Sequence, residues 1–245
     1  MKVLGLIPAR YASSRFPGKP LAELLGKTMI QRVCEQVGQA KSIDHFAVVT
    51  DDQRILTHVQ SIGYQVFDSK STHESGTDRC AEIATQFPDF ELVVNIQGDE
   101  PFIQPEQIDL LVNFMKKEDY EIGTLTKKIT DSEKILNPNI VKMVFSKNGK
   151  ALYFSRSPIP HQRGIDSTDW LLKGDFYKHI GLYAFRRKAL LEVSTLAISS
   201  LEKQEKLEQL RWLENGYSIG VKETKLETFG IDTPADLEKI KTFIN

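Results

Sequence analysis

Apolar residues recur in two periods along the chain, and their alternation predicts a succession of strands and helices. Lys2-Val-Leu-Gly-Leu-Ile7 is a short apolar run, partly β-branched and bounded by Pro8, which predicts a buried strand. Thr28 to Gln39 then places Met29, Ile30, Val33 and Val37 on one face, the 3.6-residue spacing of an amphipathic helix. His45–Thr50 is a second strand, Asp51-Asp52 an acidic helix entry suited to the dipole, and Gly63 a helix stop before a strand at Tyr64–Phe67. His73–Arg79 (HESGTDR) is polar and predicts a loop leading into a helix over Cys80–Phe87; Glu91–Ile96 is a strong strand running into Gln97-Gly98-Asp99-Glu100-Pro101. Pro105 opens the next helix as a good first-turn residue. Such repetition predicts an α/β fold with a mostly parallel open sheet and helices on both faces.

The second half is less regular and predicts a β-rich excursion. Ile122–Lys128, Val141–Phe145 and Ala151–Phe154 are strand-like, with Asn-Pro-Asn and Asn-Gly turns between them and a hairpin turn at Lys147–Lys150. A loop rich in Pro, Gly and charge spans Ser157–Asp175 and is followed by a strand at Ile180–Phe185. Glu202–Glu214 predicts one charged helix with Leu207, Leu210 and Leu213 as its buried stripe; Tyr217–Val221 and a helix over Pro234–Phe243 end the chain. Neither an internal repeat nor a low-complexity linker interrupts the sequence, so one domain is the simplest organisation.

Charge changes this picture locally and not globally. The 245 residues carry a formal net charge of −1, which gives no reason to expect nucleic acid as a partner. Yet Pro8–Leu21 concentrates Arg10, Arg15 and Lys19 just after the first strand, where open α/β sheets bind ligands. One such residue would be ordinary loop solvation; three in ten predict a site for a multiply charged anion. Gly26-Lys27-Thr28 resembles the end of a phosphate-binding loop, but Leu21 stands where that pattern requires glycine, and no GxGxxG follows the first strand. Side chains and backbone, not a glycine-rich cradle, must hold the anion. Cys34 and Cys80 are far apart and outside any CxxC or Cys/His cluster, which fits a reducing cytoplasm. No signal-peptide pattern and no apolar run near the roughly 20 residues of a membrane span is present, so no membrane insertion is expected.

Several residues have both a bland and a chemical reading. Asp99 sits at a strand's C-terminal edge in a Gly-Asp-Glu-Pro turn; turn chemistry accounts for it, and so does magnesium, which takes one or two carboxylates plus substrate phosphates. In Ile231-Asp-Thr-Pro-Ala-Asp236, Thr233 fits a helix cap, Pro234 the first turn and Asp236 the capping-box partner, leaving Asp232 for another use such as a second metal carboxylate. Ser75, Gly76, Thr77 and Arg79 offer hydrogen bonds to a base, or simply a capped helix entry. His179 and Tyr183 lie four apart on one strand face, where a hydrogen-bonded core residue is the commoner outcome. Glu208 and Gln209 are about 100° apart on a helix and could edge a pocket, although Glu208 could equally pair with Arg211.

The segments IPARYASSRFPGKPL, TDD at 50–52, HESGTDR, VVNIQGDEP, NPN, ALYFSR, YKHIGLYAFR, LEQLRWLENG and GIDTPADLEKI, in this order, resemble the 3-deoxy-manno-octulosonate (Kdo) cytidylyltransferases across nearly the whole chain. The first and fourth are shared more loosely by other sugar nucleotidyltransferases; YKHIGLYAFR and LEQLR are the discriminating ones. The resemblance implies a nucleotide-diphospho-sugar transferase-like fold in a single domain over 1–245, with a nucleotide-binding half of about 1–130 and a sugar-binding and dimerisation half of about 131–245. It implies that CTP is held by Ala9, Arg10, Arg15, Lys19, Ser75, Arg79 and Gln97, and that Mg2+ is bound by Asp99 and Asp232. Arg156, His179, Tyr183, Glu208 and Gln209 would line the sugar pocket, and Lys19, Arg10, Asp99 and Asp232 would carry catalysis. The implied enzyme is a cytoplasmic homodimer serving lipopolysaccharide synthesis: the anomeric hydroxyl of Kdo attacks the α-phosphorus of CTP in line and pyrophosphate leaves. Such chemistry needs positioning and charge neutralisation more than covalent help. Two alternatives stay open here, a cytidylyltransferase for another acidic sugar (sialic acid or 8-amino-Kdo) and a nucleotide-binding regulator without chemistry.

Overall fold

The first apolar run lies in the middle of the sheet. In a computed structural model that describes residues 1–12, 16–73, 75–227, 230–231 and 233–244, strand β1 (Val3–Pro8) is buried along its whole length. After a short 3-10 turn at Lys19–Leu21, a small antiparallel hairpin of β2 (Glu23–Leu24) and β3 (Lys27–Thr28) leads into helix α1 (Met29–Val37), capped by the Thr28 hydroxyl. Then come β4 (His45–Thr50), α2 (Gln53–Ser61), β5 (Val66–Asp68), α3 (Gly76–Ala84), β6 (Leu92–Asn95) and α4 (Pro105–Lys117). The second half holds β7 (Ile122–Lys128), α5 (Ser132–Leu136), β8 (Lys142–Phe145), β9 (Ala151–Ser155), α6 (Trp170–Lys173), β10 (Tyr177–Arg186), α7 (Arg187–Val193), α8 (Ser200–Glu205), α9 (Gln209–Glu214), β11 (Ile219–Glu223) and α10 (Pro234–Ile244).

The strands form one sheet in the order β11-β7-β10-β6-β1-β4-β5, with β8 joined to β10 and β9 to β8. β1 pairs in parallel with β4 and β6, β4 with β5, and β7 with β11, whereas β10 runs antiparallel to β6, β7 and β8. Only β10 and β9 oppose the common direction, so the ends of β1, β4 and β6 share one edge. Side chains alternate across the sheet as the two-residue period requires. Val3 and Ile7 of β1 face a core built with α1, α2 and α4, while Leu4 and Leu6 face a second core built with α3, α7 and α9. The expected mostly parallel sheet covered on both faces is the observed one.

Several boundaries differ from the sequence reading, each for a local reason. α3 starts at Gly76 rather than Cys80, because Ser75 and Asp78 form a reciprocal capping box that turns the polar HESGTDR stretch into a helix entry. The single helix expected over Glu202–Glu214 is two. Lys206 sits in the left-handed region at φ 54°, and α8 ends there before α9 begins. Leu207 and Leu210 are buried as expected, but Leu213 is half-buried, and Trp212 joins them in the core. The Ser157–Asp175 loop contains the short helix α6, and α5 and α7 occupy stretches to which the sequence assigned no element. Of the Asp51-Asp52 pair, only Asp52 caps α2, accepting from Arg54 N at 3.0 Å.

Candidate active site

Three strand ends converge on Pro8, and glycines allow the approach. A Cβ at Gly98 would stand 2.8 Å from the Pro8 carbonyl oxygen, and one at Gly76 would stand 3.0 Å from the Pro8 ring. The turn after β6 and the start of α3 therefore both press against the end of β1. Beyond Pro8, the buried Ala9 donates its N–H to the Val49 carbonyl at 2.8 Å, and Arg10 Nη2 donates to the His73 carbonyl at 2.9 Å. Burial and the neighbouring Arg79 lower the pKa of the Arg10 guanidinium, against the opposing pull of Asp51, Asp78 and Glu208. At the other end of the loop, Gly18 (φ 72°) folds against the Tyr11 ring, and Arg54 covers that ring. Arg15 lies outside the described residues.

Lys19 and Asp99, 80 positions apart, meet directly. Lys19 Nζ is 2.6 Å from Asp99 Oδ2, with 12% and 36% of the two side chains accessible. The expected phosphate cation and the expected metal carboxylate thus share one spot at the β6 end. Ile231 N donates to the Asp99 carbonyl at 3.1 Å, so the chain entering α10 is pinned to the same turn. Thr233 and Asp236 form the anticipated capping box; Asp232 itself lies outside the described residues. Asp99 offers one hard, partly open carboxylate beside the cations of the β1 loop. That donor set suits magnesium completed by substrate phosphates and water. Among the described residues, no three His, Cys, Asp or Glu side chains gather as a metal cage.

The base-side residues divide between capping and clamping. The Ser75 hydroxyl accepts from Asp78 N at 3.0 Å, so the helix-cap reading accounts for one of its bonds. Arg79 is almost fully buried: Nη1 donates to Ser69 Oγ at 2.7 Å, Nη2 to Asp51 Oδ2 at 3.0 Å, and Nε has no partner. Gln97, half-buried, donates to Asn95 Oδ1 at 3.4 Å. Asp51 is a residue the sequence reading assigned only to the helix entry. Once Asp52 supplies the cap, Asp51 is left over to hold Arg79, the same elimination that singles out Asp232.

On the opposite side of α3 stand the sugar-side candidates. His179 Nε2 is 3.0 Å from Thr124 Oγ1, and its ring lies 5.2 Å from that of Tyr183. Burial pushes the His179 pKa down to about 3, so the imidazole is neutral. A bulge between Ile180 and Tyr183 breaks the regular register of β10 against β7, and Thr124 Oγ1 donates to the carbonyls freed there. Tyr183 is 7% exposed and packs against Trp212; its hydroxyl is buried without a partner. Burial and Glu208 together push that phenol well above its usual range. Glu208 precedes α9, accepts from Thr77 Oγ1 at 2.8 Å and from Arg211 Nη2 at 3.2 Å, and has its pKa raised, first by burial. Gln209 is buried at the first position of α9. Arg156 spends three N–H groups on the carbonyls of Glu205, Pro138 and Lys206, pinning the α8–α9 break and leaving two for other partners.

Among the described residues, eight buried side-chain polar atoms have no hydrogen-bond partner, and three of them, Arg10 Nε, Arg79 Nε and Tyr183 Oη, are donors on residues singled out from sequence. Since buried polar groups are nearly always satisfied, the arrangement fits a ligand bearing acceptor oxygens.

Comparison with known proteins shows the family. The family model described as Cytidylyltransferase matches residues 4–226. A 3-deoxy-manno-octulosonate cytidylyltransferase of Bacteroides thetaiotaomicron is 53% identical, covering 100% of this chain and 98% of its own length. The same-named enzyme of Parabacteroides distasonis is 51% identical with the same coverage, 100% and 98%. The solved structure of CMP:2-keto-3-deoxy-manno-octonic acid synthetase complexed with CTP superposes with a TM-score of 0.92 at 39% identity, covering 100% of this chain and 98% of that one. A cytidylyltransferase from Leptospira borgpetersenii, at 18% identity and TM-score 0.65, shares the fold. With this full-length identity, the chain belongs to the cytidylyltransferase family, among its 3-deoxy-manno-octulosonate cytidylyltransferases.

Proposed function

We propose that this enzyme transfers CMP from CTP to Kdo, giving CMP-Kdo and pyrophosphate. The observation that carries the reading is the Lys19–Asp99 contact of 2.6 Å, which brings a phosphate cation and a metal carboxylate together at the strand ends. Arg10 and Lys19, with Arg15, neutralise the triphosphate; Ala9, Ser75, Arg79 and Gln97 place the cytidine. Arg156, His179, Tyr183, Glu208 and Gln209 orient the sugar so that its anomeric oxygen lies in line with the α-phosphorus. That oxygen bonds to phosphorus as the bond to the β-phosphate oxygen breaks, pyrophosphate carries off the electron pair, and the hydroxyl proton is released. Positioning and charge neutralisation supply most of the rate. Asp99 and Asp232 would hold magnesium, which when bound supplies charge neutralisation and lowers the pKa of the attacking hydroxyl.

Neutral His179 and the high-pKa Tyr183 suit hydrogen bonding to sugar oxygens rather than ion pairing. The reading extends to one domain over 1–245 acting as a homodimer in the cytoplasm for lipopolysaccharide synthesis; no helix among the described residues is long and apolar enough to cross a membrane. The test is pyrophosphate release from CTP and magnesium with and without Kdo, repeated with 8-amino-Kdo and sialic acid. Release that needs Kdo and exceeds that with either other sugar is expected. A better rate with another sugar would overturn the choice of substrate, and no release with any sugar would overturn the enzymatic reading.

A further inference from the structure

We propose that Arg211 is the positioning residue for Glu208, fixing the carboxylate that faces the sugar by tying it to α8 and to the 194–197 segment. The proposal rests on the reading above that Glu208 lines the sugar pocket. Arg211 has only 8% of its side chain accessible and reaches three elements at once. Nη1 donates to the Leu196 carbonyl at 2.8 Å, Nε lies 2.9 Å from Glu202 Oε2, and Nη2 lies 3.2 Å from both Glu202 Oε1 and Glu208 Oε1. The other Glu208 oxygen, Oε2, accepts from Thr77 Oγ1 at 2.8 Å. Glu208 is therefore held at both oxygens, once from α3 and once from α9.

Room to move makes the second anchor matter. A cavity of about 1100 Å³ lies against this network, with Ser75, Asp78, Glu202, Glu208 and Arg211 among its walls. Glu208 stands at the residue before α9 and makes no side-chain capping bond there, so no backbone N–H of α9 locks its rotamer and Arg211 is that helix's hold on it. Without Arg211, only the hydroxyls at the start of α3, Thr77 and Ser75, still hold Glu208, Glu202 is left without its cation, and the carboxylate oxygen freed from Arg211 can turn toward the cavity. Lysine cannot replace the function: a single ammonium does not reach three acceptors spread over a planar fork.

The experiment is a double-mutant cycle of Arg211→Lys and Glu208→Gln, with KM for CTP and for Kdo and kcat measured separately. Arg211→Lys is expected to raise KM for Kdo about tenfold, change KM for CTP less than twofold, and add less than twofold in the Glu208→Gln background. An equal effect on both substrates, no effect, or a full tenfold addition on top of Glu208→Gln would overturn the positioning role. Wild-type Kdo use by Glu208→Gln would instead overturn the sugar-side reading of Glu208, and the proposal with it. Should Arg211→Lys not fold, Glu202→Gln serves in its place, since glutamine keeps the α8 capping box and removes the counter-charge. It is expected to raise KM for Kdo several-fold with KM for CTP unchanged, and a wild-type KM for Kdo would overturn the proposal.

Discussion

Asp99→Asn separates the chemical from the structural work of the Lys19–Asp99 pair. At 2.6 Å the two charges attract by several kcal/mol at an effective dielectric near 20, or about 1.6 kcal/mol in bulk water. Asp99 is 36% exposed, so solvent screening and the loss of side-chain freedom offset most of this, leaving about 0–1 kcal/mol of net stability. Asparagine keeps the shape and one acceptor oxygen for Lys19. The melting temperature should fall by no more than about 4 °C, given about 2–4 °C per kcal/mol for a chain of this size. Turnover has far more to lose. Asp99 is itself an anion, so its loss acts through the magnesium it would hold, and losing that preorganised positive charge where negative charge moves onto a leaving group costs about 10²–10³ in kcat, roughly 2.7–4 kcal/mol. The assay is pyrophosphate release at saturating CTP and Kdo over a magnesium series, with thermal melting on the same preparation. Near-wild-type turnover at saturating magnesium would refute the catalytic role. A melting loss large enough to explain the lost activity would refute the claim that the pair is chiefly chemical.

Other perturbations read other parts of the site. Tyr183→Phe removes a buried hydroxyl without a partner, so urea unfolding should show unchanged or slightly higher stability while KM for Kdo rises several-fold. Asp51→Asn weakens the hold on Arg79; KM for CTP should rise about tenfold with KM for Kdo unchanged, and equal changes in both would refute the clamp. The folded-state pKa of His179 lies below its unfolded value, so the unfolded chain takes up the proton first and stability falls as pH drops through about 6.5 towards 3. Between pH 7.0 and 5.5 this one group accounts for about 1.3 kcal/mol, a loss that denaturant titration should find in the wild type and about 1.3 kcal/mol smaller in His179→Asn.

The sheet was legible because its strands are apolar on both faces. Val3–Pro8, His45–Thr50 and Leu92–Asn95 emerge where apolar runs predict them, and Ile122–Lys128 emerges where a strand-like stretch was expected. Local polar chemistry was harder to read. HESGTDR has the composition of a loop, and of its two readings the capped helix entry is the one observed, through the Ser75-x-x-Asp78 spacing. α7 follows β10 directly, with no turn residue to mark the change of period. The α8–α9 break was invisible because nothing at Lys206 forbids a helix. Glu205 and Arg156, from a strand some 50 positions away, hold the chain there through Ser155 Oγ, Arg156 N and the Glu205 and Lys206 carbonyls. Of the site, Arg10, Lys19 and Asp99 could be inferred from charge and place. Arg79's anchors and the Arg211 network could not, since long-range ion pairs leave no periodic trace.

The N-terminus of α3 links the proposed nucleotide side to the proposed sugar side. Gly76 sets that terminus against Pro8, so the helix entry and the phosphate loop share one contact. Ser75 and Arg79 hang from this first turn and a half, and so does Thr77, whose hydroxyl reaches Glu208 at 2.8 Å. Arg10 feels both Asp78 and Glu208, and Tyr183 feels Glu208, so the residues proposed for the triphosphate and for the sugar share charged neighbours around this helix start. A helix whose start is fixed at once by a capping box, a glycine contact and a hydrogen bond to a residue 131 positions away has little freedom to let one side shift alone. Alignment of the attacking oxygen with the α-phosphorus then depends on a rigid element rather than on two independent loops, which is what an in-line displacement without covalent catalysis requires.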